Sequence, residues 1–300
     1  MEQEVLEKYK KAGLICAELR QEVLKRIKPG MPILELATFI DKSIKQKGGK
    51  PAFPVNISIN EIAAHYTPSH NDTREIQPGE LVKIDIGVHV DGYIGDMAFT
   101  YCSEKHPLIE GAEKVLESAI KVIRPGVTIG EIGGTIEKTA KGLKLGLITN
   151  LTGHTLGRYN FHGQPSILNI ANDSRYSFEE DRVIALEPFL TPSNGTVKES
   201  GTCEIYKYSM DRPVRLTEAR EILRMARDDW HGLPFAKRWL FEHFSPIKIS
   251  LALRQLEAVG ALESYPVLKE TEGKPIAQAE HTIIVGSPSI VTTRLEEFKK

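Results

Sequence analysis

Asp85 and Asp96 sit on opposite arms of the run KIDIGVHVDGYIGDMAFT (83–100), with Asp91-Gly92 between them. Both arms alternate at period two, and Asp-Gly at the centre is the strongest short-range signal for a two-residue hairpin turn. With 91 and 92 as the loop, 90 faces 93, 87 faces 96 and 85 faces 98. Residues two apart on a strand share a face, so 85, 87, 96 and 98 point the same way. Asp85 and Asp96 become diagonal neighbours, their backbones about 7–8 Å apart. Two carboxylates on the inner face of a hairpin repel each other and are costly to bury unless something positive lies between them. A metal ion is the simplest such group.

Matching donors occur further along. His154 follows the strand-like LITNLT (147–152), Glu187 ends DRVIALEP, and Glu280 opens AEHTIIV. Each interrupts an apolar, β-prone segment where a charge is expensive without a partner. Asp, Asp, His, Glu and Glu carry four negative charges, enough to neutralise two divalent cations. Such a set suits Mn, Fe(II) or Co better than a thiolate-type structural zinc.

The elements that must position these groups come in two related sets. Val5, Tyr9, Ala12, Cys16, Leu19, Val23 and Ile27 form one apolar stripe at helical spacing over 3–27, ended by Lys28-Pro29-Gly30. A second helix is expected over about 32–46, stopped at Gly48-Gly49. IKPGMPILELATFIDKSI (27–44) then aligns with IRPGVTIGEIGGTIEKTA (123–140) at an offset of 96. Each copy follows an amphipathic helix, the second over about 107–123, and leads to strands. The chain therefore reads as two helix–helix–strand halves. Folded about a pseudo-twofold, they would share one continuous sheet with a cleft at the seam.

The carboxylates at 85 and 96 are eleven positions apart, those at 187 and 280 are 93 apart, so an insertion has opened the second hairpin. Helical patterns at about 215–228, 233–243 and 247–259, then a strand-like ALESYPVLKE (261–270), suggest a winged-helix-like insert at 204–266. The remainder, 1–203 with 267–300, is the catalytic domain. Residues 204–266 hold ten Lys or Arg and nine Asp or Glu, which leaves no basic footprint for nucleic acid. The insert is expected to be a wall beside the cleft.

Composition narrows the class. Net charge is −1, and no apolar run approaches the ~20 residues of a membrane span. The N-terminus lacks a signal-peptide pattern. Three widely spaced cysteines without CxxC argue against a disulfide framework and for a cytoplasmic setting.

These residues, in this order, resemble the type 2 methionine aminopeptidases over essentially the whole chain. The resemblance rests on KIDIGVHVDGYIGDMAFT, AAHYTP (63–68), LTGHTLGRYNFHG (151–163), ALEPF (185–189), LPFAKRWL (233–240) and AQAEHTIIV (277–285). The missing charged N-terminal extension points to the short archaeal form. Ala279 departs from the family, which usually has Phe before the Glu, and this could loosen packing behind Glu280. The resemblance implies an α+β, pita-bread fold around a curved, mostly antiparallel sheet. It implies two divalent metals (Co, Mn, Fe(II) or Zn): Asp85 on one, His154 and Glu187 on the other, Asp96 and Glu280 bridging. A bridging hydroxide would attack the first carbonyl of a peptide or nascent chain, releasing its N-terminal methionine when the next residue is small. Glu187 would pass the proton to the leaving amine. His65 and His162 would bind the scissile peptide and the oxyanion. Phe53, Phe161, Phe189 and Tyr265 would line the methionine pocket. A monomer, with possible contact to the ribosome and none to membranes, follows from that role.

Taken singly, most of these residues have bland readings. Asp91 is only a turn former. His70, His89, His106, His231 and His243 receive no role, and His281 points to the opposite face from Glu280. Two rival functions share the fold: an Xaa-Pro peptidase, and a non-catalytic binding protein that has lost its ligands. All five ligands are present here, which argues against the second.

Overall fold

Asp91 and Gly92 adopt φ of 51° and 89°, the left-handed pair that a two-residue hairpin turn requires. The computed structural model describes residues 1–298. The turn joins β2 (Val82–Val90) to β3 (Tyr93–Tyr101), with β1 (Asn56–Ile59) on the far edge of β2. The register pairs Val90 with Tyr93, Gly87 with Asp96 and Asp85 with Ala98, as the alternation predicted.

The duplication is visible in the helices. α1 (Gln3–Arg26) and α2 (Ile33–Gln46) precede the hairpin, and α3 (Pro107–Ile120) and α4 (Ile129–Gly142) precede the second set of strands. Both ends of α4 lie 96 positions after those of α2, the offset of the sequence repeat. The loops before the two helices are latched alike. Gly30 N–H donates to Ile76 O and Ile33 N–H to Arg74 O; in the second copy Gly126 N–H donates to Phe178 O and Ile129 N–H to Tyr176 O. Each helix pair covers its own sheet with its own core: Leu19, Ile40, Ile57 and Ile84 in the first half, Val115, Ile136, Ile184 and Ile283 in the second.

The second sheet holds β4 (Thr152–Gly157), β5 (Asn160–Leu168), β6 (Val183–Leu186), β10 (His281–Ile284) and β11 (Ile290–Val291), in the order β11-β10-β6-β4-β5. Between β6 and β10 runs a segment that forms a small sheet of its own from β7 (Ile205–Tyr208), β8 (Phe235–Ala236) and β9 (Leu262–Ser264). α5 (Thr217–Arg224) and α6 (Pro246–Ala258) pack on it around Ile222, Leu253 and Leu256.

Three expectations need correction. The expected helix at 233–243 is a short strand followed by a 3-10 turn at Lys237–Glu242: Phe235 and Ala236 pair with Tyr206 and Ile205, and Trp230, Phe235 and Trp239 pack as a cluster. LITNLT is not one strand: Ile148 keeps a lone bridge to Gly195, 149–150 turn, and the Asn150 and Asn194 side chains bind backbone there. The two halves also do not share a continuous ladder. The halves pair where Leu268 and Lys269 meet Ala64 and Ile62 and where Ile276 N–H donates to Asn60 O; where the Asp96 strand faces residues 278–282, one backbone bond runs from Glu280 N–H to Ala98 O (2.8 Å). Threonine hydroxyls supply the rest: Thr282 Oγ1 accepts from Asp96 N–H and donates to Asp96 O, and Thr100 Oγ1 does the same for Gln278. A hydroxyl that donates and accepts satisfies both backbone groups of a facing residue without strand pairing.

Candidate metal centre and substrate cavity

The seam brings Asp85, Asp96, His154, Glu187 and Glu280 to one end of a cavity of about 280 Å³. Asp85 and Asp96 come from the hairpin, His154 from β4, and Glu187 and Glu280 from the positions just beyond the Leu186–His281 rung joining β6 and β10. Asp96, His154 and Glu280 are buried and have donor atoms within 4.8 Å of one another. His154 Nε2 lies 3.4 Å from Glu187 Oε1 and 3.7 Å from Asp96 Oδ2.

This arrangement is hard to hold without a cation. Burial pushes the Asp85 carboxyl up to about 7. Asp96 is driven well above the carboxylate range by burial and by the charge of Asp85. Glu187 and Glu280 are raised by burial and then by the neighbouring carboxylates. Asp85 Oδ1 and Asp96 Oδ1 are buried without any hydrogen-bond partner. His154 is held down at about 4 by burial, so its imidazole is neutral. Its Nδ1 faces Thr155 O, which can only accept, so Nε2 is left with a free lone pair toward the carboxylates. Orphaned carboxylate oxygens beside a neutral imidazole nitrogen are a donor set that fits divalent metal.

The remaining candidates line the same cavity. Phe53, Phe161 and Tyr265 form an aromatic wall, with Phe53–Phe161 centroids 5.9 Å apart, and Phe189 adds to it. Phe53 lies directly over Gly87, where a Cβ would meet its ring at 2.2 Å. Gly87 shares a face with Asp85, so the missing side chain seats an aromatic ring beside the carboxylates. Ile205, Pro234 and Tyr265 close one side of the cavity from the 204–266 segment.

His65 and His162 reach the cavity from different halves. His162 stacks on Phe161 and meets the His154 ring edge at 4.5 Å; burial and then His154 hold it well below its ordinary value. His65 is a non-glycine residue at φ 63°, and burial lowers its pKa too. Its Nδ1 lies 3.1 Å from Pro266 O, so Nδ1 carries the proton and Nε2 can accept. The loop after it is pinned by the buried Arg238, whose guanidinium bonds Thr67 and, at 2.7 Å, Asp41. His281 turns away and pairs with Thr293 Oγ1 at 2.8 Å.

Sequence reasoning passed over several supporting residues. Gln278 Nε2 donates to Glu187 Oε2 (3.3 Å) and Glu280 Oε2 (3.4 Å), tying two carboxylates together. Asn169 donates to Glu187 O and Leu151 O. Buried Lys83, lowered by burial to about 7, bonds Asn60 O and Ile276 O and so fastens the hairpin to the segment leading to Glu280. The signal was available for Gln278 and Lys83, polar groups inside strand-like runs. Ala279 is buried within the second core, with no ligand displaced beside it.

Residues 7–218 match metallopeptidase family M24. The chain belongs to that family. The M24 match ends before Glu280, but whole-chain relatives extend beyond it. The methionine aminopeptidase of Thermococcus onnurineus (strain NA1) is 47% identical over 92% of this chain and 94% of the relative. That of Archaeoglobus fulgidus is 44% identical over 97% of this chain and 100% of the relative. Within M24 the chain is thus of the archaeal methionine aminopeptidase type. Among solved structures, a thermophilic Arx1 superposes with a TM-score of 0.86 at 18% identity, covering 100% of this chain and 95% of that one. A methionine aminopeptidase from Rickettsia prowazekii gives 0.71 at 22% identity over 98% of both chains. These likenesses establish the pita-bread fold. Among the described residues, no helix is long and apolar enough to cross a membrane.

Proposed function

We propose that this M24 peptidase is a metal-dependent methionine aminopeptidase that removes the N-terminal methionine of peptides and nascent proteins whose second residue is small. The observation that carries this reading is the convergence of five metal-type donors at one end of a cavity walled by Phe53, Phe161, Phe189 and Tyr265. The relatives, alike over nearly the whole chain, agree with it.

Asp85 and Asp96 would hold one divalent ion, His154 and Glu187 a second, with Asp96 and Glu280 shared. Bound there, divalent ions supply Lewis-acid polarisation of a peptide carbonyl and acidify a water molecule. The protein's own groups do the rest. The aromatic wall takes a thioether side chain, which packs well against ring edges and faces. His65, neutral and with Nε2 unprotonated, accepts the N–H of the scissile peptide. His162, beside His154, donates to the oxygen that gains charge. Glu187, 3.4 Å from His154 Nε2, takes a proton from the attacking water and passes it to the leaving amine. Gln278 keeps one oxygen each of Glu187 and Glu280 turned inward. Residues 204–266 act as an inserted subdomain that closes one side of the cavity.

The test is cleavage of Met-Gly-Ser against Ala-Pro by metal-loaded enzyme, before and after chelation. Release of methionine from the first alone, lost on chelation and restored by metal, is the expected result. Preferential cleavage of Ala-Pro would make the protein an Xaa-Pro peptidase, and no cleavage of either would leave a binding protein.

A further inference from the structure

A second cavity, of about 530 Å³, lies where the 205–264 segment meets the first half. It shares no lining residue with the metal-bearing cavity. Its size falls within the ~300–1,000 Å³ of small-molecule sites. Trp230 and Trp239 both line it, with centroids 6.0 Å apart and planes at 54°, and they are the chain's two tryptophans. Met225 adds a soft apolar surface, contributed by a π-helical turn over Met225–Asp229. Such turns recur at functional sites because they re-aim side chains at the expense of regular bonding.

The polar lining carries both signs. Asp41 is fixed by Arg238 Nη2 at 2.7 Å and by Trp239 Nε1 at 3.0 Å through one oxygen, and its other oxygen is buried without a partner. Glu242 lines the cavity as well. Lys45 and Lys50 line it too, and among the described residues neither lysine nor Glu242 is in an ion pair. A site for an anion would not present an unpaired Glu242, and one for a simple cation would not carry two unpaired lysines. Aromatic walls between opposed charges match a ligand with an ammonium, a carboxylate and an apolar body.

We propose that this cavity binds a zwitterion with an apolar side chain, a free α-amino acid or a dipeptide, at a site separate from the metal centre. The ammonium lies toward Glu242, the carboxylate toward Lys45 and Lys50, and the side chain against the tryptophans. Ammonium and carboxylate bonds of this kind are charge-assisted, so deleting either end of the ligand removes a strong contact.

The two tryptophans make the site directly readable. Metal-loaded enzyme is titrated with L-leucine and with Leu-Leu while tryptophan emission is followed; neither compound begins with methionine. A saturable emission change is expected, and the tighter of the two identifies the natural class. N-acetyl-leucine, lacking the ammonium, and leucine amide, lacking the carboxylate, should each bind about tenfold more weakly or worse, a loss of ~1.4 kcal/mol. Glycine should give no change. Glu242→Gln and Lys50→Gln, both at exposed positions, should weaken leucine binding about tenfold while melting temperature and methionyl-peptide turnover stay unchanged. The proposal is overturned if neither zwitterion saturates, if the blocked compounds bind as well as the parents, or if the two variants bind like wild type. None of these outcomes bears on methionine release, so this reading and the aminopeptidase reading fail separately.

Discussion

The two halves deliver their carboxylates to the seam by different routes. In the first, Asp85 and Asp96 ride one unbroken hairpin and are diagonal across its ladder, since Asp85 pairs with Ala98 and Gly87 with Asp96. In the second, Glu187 and Glu280 follow the last rung between β6 and β10, where Leu186 pairs with His281. The two arms pair again just beyond the glutamates, Phe189 with Gln278 and Leu190 with Ala277, and the intervening chain leaves from there. The difference teaches that a site of this kind needs paired strand ends rather than a continuous hairpin. The first half spends its tight turn on register; the second lets pairing alone fix the register and uses the loop to build a cavity wall.

The sharpest way to break this comparison is to remove the residues that each half is expected to share between metals. Asp96→Ala and Glu280→Ala should each lower kcat/KM on a methionyl peptide by ~10³-fold, the several kcal/mol that metal polarisation contributes. Calorimetric metal titration should show reduced stoichiometry in both. If only one variant loses activity and metal, the halves are not equivalent contributors.

The next effect concerns the metal-free protein. A carboxyl raised in the folded state, as Asp85 is from 3.8 to about 7, holds a proton there that the unfolded chain has released. The folded state then binds more protons between those values, so stability falls as pH rises from about 4 through about 7. At about 1.4 kcal/mol per unit, Asp85 alone contributes on the order of a few kcal/mol across that window. The buried neutral histidines pull the other way, so the carboxyl effect is read by difference: between pH 5 and pH 8 chelated wild type should lose more stability than chelated Asp85→Asn. Equal pH profiles in the two would show that Asp85 is not in conflict with its surroundings.

A smaller effect tests the seam. Thr282→Val leaves the N–H and C=O of Asp96 facing a methyl group, and should cost about 1–3 kcal/mol in denaturant unfolding. Thr100→Val does the same to Gln278 and should match it. The smallest effect probes the duplication itself. Gly30 and Gly126 hold φ of 82° and 84° at equivalent loops, with nothing within 4 Å of an added Cβ. Alanine at either should cost about 1 kcal/mol, nearly the same in both halves.

Legibility followed the range of the interactions. The hairpin register was readable because period-two alternation and Asp91-Gly92 are local and agree. The bounds of α2 were readable, and the repeat pointed to α4, because each copy carried its own loop signal, Pro-Gly before the helix. The Lys237–Glu242 turn was not, since its apolar spacing mimics a helix and only the packing of Trp230, Phe235 and Trp239 selects the shorter form. The threonine seam was hidden for another reason: a β-branched residue in a strand looks like ordinary β propensity, and only the facing strand shows that its hydroxyl replaces a ladder bond. The five donors and six cavity residues were proposed from resemblance and residue type, and the structure places all of them around one cavity. Arg238 lay inside a marked segment without a role until its contacts with Asp41 and Thr67 were seen.

The detour between Leu190 and Ala277 has one more consequence. A loop whose two ends are clamped on the same rung transmits little tension to what lies beneath it. Its length and contents can drift over generations while the carboxylates stay where they are. Ile205, Pro234 and Tyr265 on that loop line the cavity, so a change there would reshape its wall on a separate clock from the carboxylates.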